Sequence, residues 1–146
     1  MGLAWTEHLT VGNAIIDSYH KRLITMINGA EYMIKKRDGF ALVEAFGQIE
    51  HWLRVHFVSE ENIAKAVNFP FAQHNLEHES VLKALHLIRD TIANKNGVWD
   101  EDMAKHYSEF LVDWLTNHIL MEDMLMKPVL QTHPYDFNPE RCHEFF

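Results

Sequence analysis

Five histidines and two carboxylates in this 146-residue chain fall at spacings that would close a cage around two metal ions. They are His20, His56 with Glu60 four residues on, His74 with His78 four on, and His118 with Asp123 five on. On a helix, residues four apart lie about 40° apart on one face, so each i, i+4 pair can address one point. Imidazole supplies neutral nitrogen and a carboxylate can bridge two cations. Together they select iron, zinc or copper over magnesium or calcium. Seven donors are too many for one ion and suit two. If Glu60 and Asp123 both bridge, five imidazoles divided between two metals leave one metal a ligand short, and a small molecule would bind there.

The elements that must carry these residues are helices. Asp38-Gly39 ends one segment, Asn68-Phe69-Pro70 separates the next two, and Asn94-Lys95-Asn96-Gly97 ends the third with Gly97 as a C-terminal cap. Asp100 suits the N-cap of a fourth helix, Glu101 and Asp102 suit the positive end of its dipole, and Pro128 closes it. The expected helices are about 13–37, 40–67, 71–94 and 100–127. Within them the apolar positions step by three and four. One seam runs Ile16, His20, Leu23, Ile27, Ala30, Ile34. A second runs Leu42, Phe46, Ile49, Leu53, His56, Glu60, Ile63, Val67, and a third Phe71, His74, His78, Val81, Leu85, Ile88, Ile92. Short turns between long helices predict an all-α, antiparallel up-down-up-down four-helix bundle. One domain is expected over residues 1–146, with an N-terminal arm (1–12), the bundle (13–127) and an irregular C-terminal tail (128–146).

The polar candidates lie in the buried seams, where each unpaired group would cost roughly 1–3 kcal/mol. In an up-down bundle the starts of helices one and three lie beside the ends of helices two and four. His20, His74 and His78 lie near helix starts, and His56, Glu60, His118 and Asp123 near helix ends. All seven therefore project into one end of the bundle.

The pattern His…His-x3-Glu…His-x3-His…His-x4-Asp resembles the hemerythrin family, and its single-domain bacterial members in particular. The resemblance covers roughly residues 5–127 and includes Trp5, Ile16-Asp17-Ser18-Tyr19-His20-Lys21, His56-Phe57-x-x-Glu60-Glu61 and Trp114-Leu115-x-x-His118-Ile119. It implies a non-haem di-iron centre, two irons per chain with an oxo or hydroxo bridge, that binds dioxygen reversibly for storage, delivery or sensing. His74, His78 and His118 would saturate one iron; His20 and His56 would leave the other five-coordinate; Glu60 and Asp123 would bridge them. Leu23, Phe57, Trp114, Leu115 and Ile119 would wall the dioxygen pocket. The alternatives are a di-iron enzyme acting on peroxide or nitric oxide, and an oxygen- or redox-sensing interaction module.

One spacing departs from a regular helix. Residues five apart lie about 140° apart, so Glu122 would reach the seam more easily than Asp123, followed by Leu125. The family uses the aspartate, and a π-bulge after His118 would bring Asp123 and Met126 inward. Asp17, one turn before His20, is either an orienting partner of that ring or a solvated helix residue.

A net charge of −8 argues against nucleic acid or anionic membrane as the main partner. Cys142 stands alone, which excludes an intrachain disulfide and fits a reducing compartment. Met1–Thr6 lacks the basic start and apolar run of a signal peptide, so a cytoplasmic location is expected. Pro134 and Pro139 forbid a long helix in the tail, whose Tyr135, Phe137, Phe145 and Phe146 are expected to pack on the bundle or on a second subunit.

Overall fold

The apolar stripes fold as four long helices: α1 (Ala14–Lys36), α2 (Gly39–Ala66), α3 (Ala72–Asn94) and α4 (Glu101–Asn117). A short α5 (Lys127–Leu130) follows a 3-10 turn at Asp123–Met126, and another 3-10 turn occupies Glu7–Leu9 in the arm. The computed structural model describes residues 4–95, 98–118 and 122–139, apart from the side chain of Leu115. Ile119, Met121, Gly97, Cys142, His143, Phe145 and Phe146 lie outside the described residues. Within the described residues there is no strand, and no helix is long and apolar enough to cross a membrane.

Local chemistry sets the helix ends. Asn13 caps α1 by accepting from the Ile15 and Ile16 amides. Asp38 caps α2 through the Ala41 amide, and Asp100 holds the start of α4 through the Met103 amide at 2.8 Å. Gly39, expected at the α1 terminus, is instead the first residue of α2. The left-handed residue that ends α1 is Arg37, with φ of 56°. Its guanidinium pairs with Glu101 on α4, an interaction a glycine could not make. Asn68 takes the same conformation after α2, with φ of 59°. A short amide side chain tolerates it better than most.

The expected seams are the observed core, except that Phe71 and Ile88 of the third are only half-buried at its edge. α1 packs against α2 and α4, and α2 against α3. A large apolar cluster holds Leu23, Ile27, Leu42, Phe46, Leu53, Leu85, Ile92 and Leu111. A smaller one holds Val11, Ile16, Ile63, Ala64, Val67, Met126 and Leu130. His20, His56 and Glu60 fall between the two clusters in the seam sequence of α1 and α2.

The fourth helical run is not the single helix expected over 100–127. Regular pairing stops at Asn117, His118 and Glu122 take π-helical pairing, and the chain tightens into the 3-10 turn before α5. The frame therefore shifts. Asp123 and Met126 are fully buried, whereas Leu125 is 59% exposed. Pro128 does not close the run, which continues to Leu130. It sits in the first turn of α5, where its missing N–H is not needed and its fixed φ suits a helix. Of the tail aromatics, Phe137 packs on its own bundle against the smaller cluster, whereas the Tyr135 side chain is half exposed and Tyr135 is tied down by its carbonyl, which accepts from the Ala14 amide at 2.8 Å.

Candidate metal centre

α1 contributes His20, α2 contributes His56 and Glu60 one turn apart, and α3 contributes His74 and His78. The distorted end of the fourth run contributes His118 and Asp123. All seven are at most 3% exposed. Asp123 is a hub: its Oδ2 lies 2.6 Å from His20 Nε2 and 2.8 Å from His118 Nε2, and its Oδ1 lies 3.7 Å from His74 Nε2. Glu60 is the second hub, 3.0 Å from His56 Nε2, 3.9 Å from His78 Nε2 and 4.0 Å from His118 Nε2. Two groups have donor atoms that lie within 4.8 Å of one another: His20, His56, His118 and Asp123, and Glu60, His78, His118 and Asp123. His74 belongs to neither. Its Nε2 donates to the Glu122 carbonyl at 2.9 Å, with the Phe69 and Phe71 rings packed against it.

These contacts are close, yet many are not hydrogen bonds. Both ring nitrogens of His56, His78 and His118 and both oxygens of Glu60 are buried with no hydrogen-bond partner in the protein. His56 Nε2 approaches Glu60, and His118 Nε2 approaches Asp123, to within 3.0 Å, but neither pair has hydrogen-bond geometry. Lone pairs converge on common points rather than on each other's protons. That is what a cation requires of its ligands and what a packed core avoids.

Electrostatics point the same way. Burial, and then the neighbouring His20, push the His56 imidazole well below its usual value. Burial and then His118 lower His78 to about 3. Both rings are therefore neutral, the form that ligates. Burial, reinforced by the adjacent Asp123 carboxylate, holds Glu60 well above the usual carboxylate range. Burial opposes ionisation of Asp123 too, but His118 and His20 outweigh it and hold that carboxyl well below the usual range. Of the two carboxyls, Glu60 is therefore the one that holds a proton more readily. A cation would take that proton's place.

Two acids near the layer escape simple pattern reading. Glu77, on the same face as His74 and next to His78, is pushed up to about 7 by burial and by a hydrogen bond with Glu122. Asp17 is buried rather than solvated, and its hydrogen bonds go to Thr10, Val11 and Tyr135 rather than to His20. A surface groove of about 530 Å³ between α2 and α3 is lined by Arg54, Lys83, His86 and Asp90 and shares no residue with the ligand layer. Donor chemistry, not cavity volume, marks this site.

Known proteins resemble this chain over most of its length. A bacteriohemerythrin of Stenotrophomonas maltophilia is 27% identical over 139 residues, 94% of this chain and 88% of the relative. A bacteriohemerythrin of Ralstonia nicotianae is 30% identical over 85% of each chain. A hemerythrin-like protein of Naegleria gruberi is 28% identical over 86% of this chain and 92% of its own. The model of the hemerythrin HHE cation binding domain matches residues 11–130, from the arm through α5. The chain belongs to that family.

Proposed function

We propose that the buried layer holds two iron ions and that the protein binds dioxygen reversibly there, for storage, delivery or sensing. The observation that carries the reading is the convergence of buried imidazoles on two carboxylates that each reach more than one of them. His20 and His56 would hold one iron, and His74, His78 and His118 the other, with Glu60 and Asp123 between them. His118 stands within both donor groups, so its assignment to the second iron rests on the family resemblance. Ferrous iron bound there supplies the electrons that reversible dioxygen binding requires.

The chain's own contribution is ligation and exclusion of water. Leu23 and Phe57 are buried at the large-cluster side of the layer. The Phe57 ring lies flat on His78, with centroids 3.5 Å apart, and Trp114 stacks on His118 at 4.9 Å. Apolar faces against the ligand rings deny water and protons to the bound gas. Leu115 and Ile119 are proposed as further wall residues. A binding role is favoured over turnover because each buried acid among the described residues is already engaged or would be a ligand, which leaves the half-buried Glu77 as the acid a turnover reading would have to use. Asp17 bonds to the arm and tail, Glu50 to Arg89, and Glu60 and Asp123 would be bridges.

The test is metal analysis of protein from iron-replete cells, followed by optical spectra through cycles of oxygen and inert gas. Two irons per chain and an oxygen-dependent band that bleaches on degassing are expected. One zinc per chain would overturn the cofactor. Immediate irreversible oxidation with peroxide release would overturn reversible binding and favour an enzyme.

A further inference from the structure

Asp17 stands one turn before His20 on α1 and is 1% exposed. Its carboxylate accepts three hydrogen bonds, all from outside its own helix. The Val11 amide donates to Oδ1 at 2.9 Å, and the Thr10 and Tyr135 hydroxyls donate to Oδ2, the latter at 2.7 Å. Two partners belong to the arm and the third to the tail, 118 residues away. Asn13 repeats the arrangement on the same turn: its Oδ1 caps α1, and its Nδ2 donates to the Phe137 carbonyl at 3.1 Å. Burial and the Asp17 bond push the Tyr135 phenol up to about 12, so it remains a donor across the physiological range.

These bonds close over the smaller apolar cluster. Val11 enters it from the arm, Ile16 from α1, Ile63 and Val67 from the end of α2, Leu130 from α5 and Phe137 from the tail. In the seams this cluster occupies the positions beyond His20 and Glu60, toward the end of the bundle. Val11 of the arm and Phe137 of the tail are part of its cover. The group that holds both arm and tail is the Asp17 carboxylate.

We infer that Asp17 is a positioning residue for the metal centre, acting through Val11, Thr10 and Tyr135 to keep arm and tail sealed over the His20–Asp123 side of the layer. The inference rests on reading that layer as a metal site. The test loads the full chain with cobalt(II), an optical probe, and follows its release to excess EDTA well below the melting temperature. Wild type is compared with Asp17→Ala, with Tyr135→Phe, and with Phe46→Leu as a destabilised control in the other cluster. Release is expected to quicken roughly tenfold in Asp17→Ala, the scale typical of losing a group that supports a metal site. A smaller factor is expected in Tyr135→Phe and none in Phe46→Leu. Amide exchange at Val11 and Ala14 should rise in the first two variants and not in the third. If Asp17→Ala does not fold, Tyr135→Phe carries the decision. Release no faster than in the Phe46→Leu control, with only the melting temperature lowered, would reduce Asp17 to a structural role and overturn the inference alone. A wild type that retains no cobalt would overturn the metal reading and the inference with it.

Discussion

The two ends of the bundle use the same helices and bury different things. Away from the ligand layer, Ile34, Leu42, Phe46, Ile92, Tyr107 and Leu111 fill the interior, with the Phe46 and Tyr107 rings edge to face at 6.4 Å. That end is held by apolar area and needs nothing beyond itself. Near the other end, five imidazoles and two carboxylates take seam positions that a methyl-bearing side chain would fill more cheaply. Helical periodicity treats both ends alike, since it records which face is buried and not what satisfies it. A seam can therefore look uniformly interior in sequence while one stretch of it depends on an added cation.

Substitutions should separate the two ends. The largest effect is expected for Asp123→Ala. It should strip metal from the layer and remove metal-linked stabilisation of about 4 kcal/mol where free metal exceeds its Kd a thousandfold. Glu122→Ala should leave metal bound, because the hydrogen bond of Glu122 to the layer is through its carbonyl on His74, and its carboxylate comes no nearer than 3.9 Å to that ring. Metal analysis and melting with and without metal check both, and the opposite order would replace Asp123 by Glu122. Next is Phe46→Ala, a fully buried ring in the apolar end. It should cost about 3–5 kcal/mol in denaturant unfolding and leave metal content unchanged; lost metal there would mean the ends are not separable.

A subtler effect concerns the proton on Glu60. In the metal-free protein the folded state holds Glu60 protonated above its ordinary value of 4.5. Folded protein thus binds more protons than unfolded protein, and stability falls as pH rises from about that value toward the raised one. Glu60→Gln should remove this loss. Its stability relative to wild type should climb by up to about 1.4 kcal/mol per pH unit within the window, read from urea unfolding of metal-free protein. A pH-independent difference would put the proton elsewhere. His56 and His78 act in the opposite sense, because their lowered values cost stability as pH falls below 6.5. The comparison is therefore made as a difference between the two proteins. The smallest effect is expected for Glu101→Ala. Its partner Arg37 and Glu101 itself are largely exposed, so unfolding should shift by no more than about 0.5 kcal/mol. A larger shift would mean that Arg37 needs its partner to hold the left-handed turn.

Much of this was legible in the sequence because it depends on spacing. The seams of α1, α2 and α3 follow from steps of three and four, and the shared height of the donors follows from helix direction. The five-residue step from His118 to Asp123 is visible only as a conflict with the helix, and the conflict locates the π-helical turn. Other features have no local signal. Pro128 reads as a stop, but the 3-10 turn before it starts a new helical segment in which proline is harmless. Gly39 reads as a helix end, yet Arg37 takes the left-handed position and finds Glu101 across the bundle. Asp17 looks solvated or ligand-directed because Tyr135, one of the partners that bury it, lies 118 residues away.

The shifted frame after His118 also makes the chain sensitive to length. Every side chain from Asp123 onward is turned by one residue relative to the helix before it, as buried Asp123, Met126 and Leu130 beside exposed Leu125 attest. Deleting one residue between positions 118 and 122 would put Asp123 four residues after His118, where an uninterrupted helix presents it to the seam, whereas at the present length an uninterrupted helix would present the preceding acid, Glu122. That acid is one methylene longer. The same stretch of chain therefore encodes two candidate bridging groups, and the residue count together with the π-helical turn decides which one faces inward.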